Sequence, residues 1–236
     1  MAVQRLEAGR DPGCPRVRVA GADVWKGKWV VVVLDDGRFT GAFVAPTIDE
    51  AVADLADCAA IAVDMPIGLP SAGVSRAADG EARVFVGPRR NSVFTTPPAD
   101  LLECASAAEA NTLATSEGWP GISSQAFSLK KQILAVQPLA EADERVWEVH
   151  PEVSFAEANS GVPLEWSKTS WNGAALRLRI LEGQGVTVPQ DLGPAGAAEI
   201  ADVLDAAIAA WSADRIARGV ALSFPSDALR IGAIWR

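Results

Sequence analysis

One β-branched run limits this chain more than any other feature. Trp29-Val30-Val31-Val32-Val33-Leu34 is bounded by Gly27 and Gly37. Branching at Cβ stiffens χ1 and favours the pleated strand over the helix. Asp35-Asp36-Gly37 follows at once as a hairpin signal, because Asp and Gly accept the positive φ of a tight turn. Arg16 to Asp23 before the run, with Val17, Val19 and Ala20 apolar, and Arg38 to Val44 after it read as its partner strands. Three antiparallel strands therefore open the chain.

A helix comes next. Pro46-Thr47-Ile48-Asp49-Glu50 starts it with Thr47 as N-cap, and Ile48, Val52 and Leu55 form its apolar face. Ala59 to Val63 is a short, continuously apolar strand of the kind found in doubly covered positions. Helices are expected at Ser75–Phe85, with Asp79 and Arg83 paired one turn apart, at Ser106–Ser116 and at Ser123–Val136. Gly87 to Pro98 reads as a proline-held loop. Arg145 to Val149 returns as a strand, and Pro151–Ala158, Trp171–Glu182 and Ala197–Arg218 are helical. The order β-β-β-α-β, helical insertion, β, helices gives an α/β fold. It predicts a mixed five-stranded sheet of ribonuclease H-like order, with helices on both faces and an insertion at about residues 71–136. Right-handed crossovers would gather the ends of the first and fourth strands and the last helix at one edge.

At 236 residues, about half of them apolar, residues 16–236 suit one domain, with a flexible Gly- and Pro-rich tail at 1–15. No apolar run reaches the roughly 20 residues of a membrane span, and the first residues lack a signal-peptide core. Cys14, Cys58 and Cys104 show neither zinc spacing nor a disulfide framework, so a reduced, cytoplasmic protein is expected. The net charge of −9 argues against tight, non-specific nucleic-acid binding. Arg76, Arg83, Arg89 and Arg90 nonetheless offer a local basic strip for phosphates, and Lys130-Lys131 a smaller one.

The acidic residues carry the chemistry. Asp23 and Asp64 close strands, Glu148, His150 and Glu152 alternate after the late strand, and Asp202 and Asp205 lie three apart on the last helix. Buried carboxylates gathered together repel and are costly unless a cation neutralises them. Glu148, His150 and Glu152 share a side if that stretch is extended. Ile200, Val203, Leu204, Ile208 and Trp211 form the apolar stripe of the last helix, which puts Asp205 at its margin and Asp202 further round. Phosphodiester hydrolysis by two cations roughly 3.5–4 Å apart needs such a carboxylate set. Mg²⁺ or Mn²⁺ suits oxygen ligands. Asp23, Asp64, Asp205 and Asp202 are the candidate metal ligands, Glu148 or Glu152 would complete the shell, and His150 would serve beside them.

Several blocks resemble a known family. They are Gly21-Ala22-Asp23 with Gly27-Lys28-Trp29, Asp64-Met65-Pro66-Ile67-Gly68-Leu69-Pro70, Glu81-Ala82-Arg83, Gly87-Pro88-Arg89-Arg90-Asn91-Ser92-Val93-Phe94, Ser124-Gln125-Ala126-Phe127, Glu148-Val149-His150-Pro151-Glu152-Val153-Ser154-Phe155 and Asp202-Val203-Leu204-Asp205-Ala206. Together they are similar to the domain of unknown function 429 family of ribonuclease H-like proteins, over nearly all the chain beyond Arg16. The family's first strand usually carries Gly where Val24 and Lys28 stand here. The resemblance implies a metal-dependent nuclease, with Gln125 joining the arginines in substrate binding. Asp202 and Asp205 are also similar to the last-helix acids of RuvC-like resolvases. Two other readings remain: a binding or scaffold module without turnover, and a phosphotransferase of the sugar kinase and actin type, for which Asp23-Val24-Trp25-Lys26-Gly27 is a poor phosphate loop.

Overall fold

A computed structural model describes residues 16–236; the tail expected at 1–15 lies outside them. Strands β1 (Arg18–Trp25), β2 (Lys28–Asp35) and β3 (Arg38–Ala45) form an antiparallel meander. Both turns are made by residues in the left-handed region, Lys26 and Gly27 at φ 49° and 79°, Asp36 and Gly37 at φ 50° and 73°. Such turns match the twist of the strands they join. Strand β4 (Ala60–Val63) lies parallel to β1, and β5 (Val146–Glu148) parallel to β4, giving the order β3-β2-β1-β4-β5. This is the five-stranded mixed sheet and strand order that the sequence predicts.

Side-chain alternation divides the core in two. Ala20, Ala22, Val31, Val33, Ile61 and Val63 pack on one face against helices α1 (Ile48–Ala53) and α6 (Lys130–Ala142). Val19, Val30, Val32, Ala60 and Ala62 pack on the other against α7 (Pro151–Ala158), α8 (Trp171–Gly183) and α9 (Ile200–Ala217). Thr47 caps α1 as expected, its hydroxyl accepting from the Glu50 N–H at 3.2 Å.

Helix α9 crosses β1 at backbone contact. A Cβ added at Gly21 would fall 2.0 Å from Ala210 N and 2.3 Å from Ala206 O. Only glycine fits there, and Ala206, Ala207, Ala209 and Ala210 give α9 the matching small side.

Some expectations need correcting. The helix expected at Ser123–Val136 is two, α5 (Ser124–Ser128) and α6, because Leu129 ends the first with its N–H shared between Gln125 O and Ala126 O. The first half of the loop expected at Gly87–Pro98 is a 3-10 turn over Gly87–Ser92. Helix α9 starts at Ile200, and Ile200 is exposed rather than part of the buried stripe. Helix α2 (Ala77–Phe85) and helix α4 (Ala107–Glu117) lie close to their expected places, but Asp79 does not pair with Arg83. It is drawn into the core by Arg76 and Thr96, while Arg83 donates to Thr95 Oγ1 at 3.3 Å. The short α3 (Ala99–Glu103) and the strand pair β6 (Ser223–Phe224) and β7 (Ile234–Trp235) have no counterpart in the sequence reading. Cys58 and Cys104 are free thiols. Among the described residues no helix is long and apolar enough to cross a membrane.

A candidate metal centre at the ends of two parallel strands

The register of β1 and β4 sets the site. Ala22 pairs with Val63, and the Asp64 N–H donates to Ala22 O at 3.0 Å. Asp23 and Asp64 therefore stand side by side at the carboxyl ends of neighbouring parallel strands. Asp23 shares its face with Val19 and Gly21, the face that α9 covers. Asp205 directly precedes Ala206, whose carbonyl rests on Gly21, so the glycine contact brings Asp205 to the other two. One carboxylate oxygen from each of Asp23, Asp64 and Asp205 lies within 4.8 Å of the others. They line an open pocket of about 400 Å³.

Their ionisation is strained. Burial pushes the Asp23 carboxyl well above the ordinary carboxylate range, and Asp64 and Asp205 push it further. Burial likewise raises Asp64 to about 6, with His150 pulling it down and Asp205 pushing it up. Asp202 is half-buried beside the triad and is also raised to about 6, mainly by desolvation. A site with these properties holds a proton or a cation more readily than it holds bare charges.

A residue that the sequence reading missed already supplies one cation. Lys168 Nζ lies 2.5 Å from Asp205 Oδ2. Burial alone would lower its pKa, but Asp205, Asp64 and Asp23 raise it above the ordinary lysine value. Lys168 sits between α7 and α8 in a stretch without periodicity, so nothing in the sequence marks it. Arg89 and Arg177 fix that stretch: Arg89 donates to the carbonyls of Leu164 and Glu165, and Arg177 to that of Trp166.

Glu148 lines the same pocket but does not join the triad. It is in register with Val63, so it points to the opposite face of the sheet from Asp64. There Arg76 grips both of its oxygens at 2.5 and 2.9 Å, and the Ile67 N–H donates at 2.6 Å. Burial raises the Glu148 pKa, while Arg76 opposes the shift. Arg76 also holds Asp79, whose carboxylate accepts from Thr96 N–H and hydroxyl. Arg76, expected on a solvent-facing strip, is thus an 8 % exposed core cation; the carboxylates of Glu148 and Asp79 and the carbonyls of Ile67 and Gly68 drew it inward.

Nor do Glu148, His150 and Glu152 form one extended row. Pro151 starts α7, which turns Glu152 into the helix's first turn. Glu152 Oε1 accepts from the fully buried Arg177 at 2.5 Å, while Glu152 Oε2 is buried with no hydrogen-bond partner. His150 Nε2 lies 3.2 Å from Ser92 O, and its buried Nδ1 has no partner. Both residues line the same pocket as the triad. Of the remaining expected residues, Gln125 and Asp202 line the pocket; Arg83, Arg89 and Arg90 do not. Arg90 is exposed, and Arg83 and Arg89 are spent on local bonds.

The profile of the family described as Protein of unknown function (DUF429) matches residues 21–230. The chain belongs to this family. Asp23, Asp64, Asp205 and Lys168 all lie within the DUF429 match. No curated protein and no solved structure matches the chain.

Proposed function

We propose that this DUF429 protein is a divalent-metal-dependent nuclease of ribonuclease H-like fold. The convergence of Asp23, Asp64 and Asp205 carries the reading. All three offer hard carboxylate oxygens, and no group with Cys or His ligands competes among the described residues, which favours Mg²⁺ or Mn²⁺. The raised carboxyls and the unpartnered oxygen of Glu152 fit a site meant for more positive charge than the chain supplies. Asp23, Asp64 and Asp205 would hold the ion, which would polarise a phosphoryl oxygen and make water a stronger nucleophile. His150 Nδ1 would accept a hydrogen bond from that water or from the substrate, and Gln125 and the exposed Arg90 would contact flanking phosphates.

The test is hydrolysis of labelled single-stranded, duplex and RNA–DNA hybrid substrates in Mg²⁺ or Mn²⁺ against EDTA, with Asp64→Asn beside the wild type. Metal-dependent cleavage that Asp64→Asn abolishes is the expected result. Equal cleavage in EDTA, or by both proteins, refutes it. One observation favours the second reading, a binding module without turnover: an amine of the chain already neutralises Asp205. In that case the protein binds nucleic acid in EDTA and cuts none of it.

A further inference from the structure

The pocket holds several acids but, among the described residues, Lys168 is the only Lys or Arg in its lining. The way it is held differs from the way its neighbours are held. Glu148 and Glu152 are gripped by Arg76 and Arg177, whose side chains are 5 % and 0 % exposed. Each of those guanidinia makes further bonds to backbone carbonyls. The Lys168 side chain is 40 % exposed, and its ammonium makes a single hydrogen bond, to Asp205 Oδ2. It rides on a flexible four-carbon stem, from a backbone that Arg89 and Arg177 fix independently of it. Its removal from Asp205 therefore breaks one contact and leaves the loop anchored.

Position gives this looseness a meaning. Asp205 Oδ2 belongs to one of the three carboxylates that converge, so the amine and a metal ion contend for the same oxygen set. Two further lone-pair groups in the same pocket, Glu152 Oε2 and His150 Nδ1, have no partner while the amine is in place. The amine thus satisfies one acid of a set built for more.

We propose that Lys168 is a displaceable counter-ion: it holds Asp205 in the free protein, yields it to a divalent cation, and then meets an anionic phosphate oxygen at the pocket mouth. The first two parts stand on the geometry of the free site; the third rests on the phosphodiester reading above. Lys168 is then the metal's competitor for Asp205 and a contact for the substrate.

Mn²⁺ titration of the full chain, followed by the electron paramagnetic resonance signal of the free ion, reads the first part. Lys168→Met removes the competitor, and Mn²⁺ binding tightens about five- to tenfold. Lys168→Arg places a wider, less hydrated fork on Asp205, and Mn²⁺ binding weakens several-fold, which carries the test should the Met variant fold poorly. Inorganic phosphate at saturating Mn²⁺ reads the third part: wild type binds it several-fold more tightly than Lys168→Met. Equal Mn²⁺ affinity in the three proteins, or weaker binding by Lys168→Met, overturns the proposal. A protein that shows these shifts yet cuts no nucleic acid fails the nuclease reading alone, whereas a cutting enzyme whose Mn²⁺ affinity ignores residue 168 fails this proposal alone.

Discussion

Asp64→Asn separates the cost of the acidic site from its use. The wild-type carboxyl is raised by burial and by Asp205 from 3.8 to about 6. Each unit is worth about 1.4 kcal/mol, so ionised Asp64 opposes folding by at most about 3 kcal/mol above pH 6. Part of the side chain opens on the pocket, which makes this an upper bound. The sign follows from proton counting. Between about pH 4 and pH 6 the folded protein keeps a proton that the unfolded chain has released, so stability falls as pH rises through that window. Asparagine keeps the shape and carries no charge. In EDTA at pH 7.5 the variant should melt higher than wild type, by up to about 10 °C for a chain of this size. At pH 4 the difference should vanish. Mn²⁺ at about 1,000 times its Kd adds about 4.1 kcal/mol to the wild type and far less to a protein lacking one ligand, so the order of the two melting temperatures reverses. Differential scanning fluorimetry over pH, with EDTA or Mn²⁺, reads all of this. A variant that melts below wild type in EDTA at pH 7.5, or whose gain persists at pH 4, refutes the account of the site as a repulsive cluster.

Other perturbations probe the frame around it. Arg76→Met strands Glu148 and Asp79 in the core and should lower stability by about 3–5 kcal/mol in urea unfolding; an unchanged midpoint would mean that the network contributes nothing. Gly21→Ala drives a methyl into the α9 backbone and should leave little folded protein in the soluble fraction, whereas the same change at Gly41, where a Cβ meets nothing within 4 Å, should be tolerated. Mn²⁺ affinity should fall at least tenfold from pH 7 to pH 5, because Asp64 takes up a proton near pH 6 and Asp23 higher than the ordinary carboxylate range; a flat profile by calorimetry would place the ion elsewhere.

Sheet order was legible because one β-branched run flanked by turn signals fixes the three-strand meander, and a right-handed crossover then brings Ala60–Val63 beside β1. Asp23 and Asp64 were legible because each stands near the end of an apolar strand segment, although β1 continues past Asp23 to Trp25. Asp205 was found on its helix, but not its depth. Helical periodicity put it at a stripe's margin, while the structure buries it to 2 % because α9 is covered almost all round. Glu148 could not be placed, since its facing depends on the Val63 register rather than on its own sequence. The departure at Glu152 was readable: Pro151 marks a helix start, and an extended row could not continue through it. Arg76 was misplaced because an arginine at the start of an expected helix resembles a solvated charge until its two acid partners arrive from positions 79 and 148. Lys168 lay beyond any local pattern.

The contact between Gly21 and α9 also imposes a schedule. During synthesis β1 and β4 can pair long before α9 leaves the ribosome. At the usual pace of elongation, Asp23 and Asp64 wait about 10–30 s for Asp205. Through that interval the two acids make half a site, unable to close around an ion. Lys168 is made before Asp205, so the acid that completes the cluster meets its own neutralising amine already in the chain.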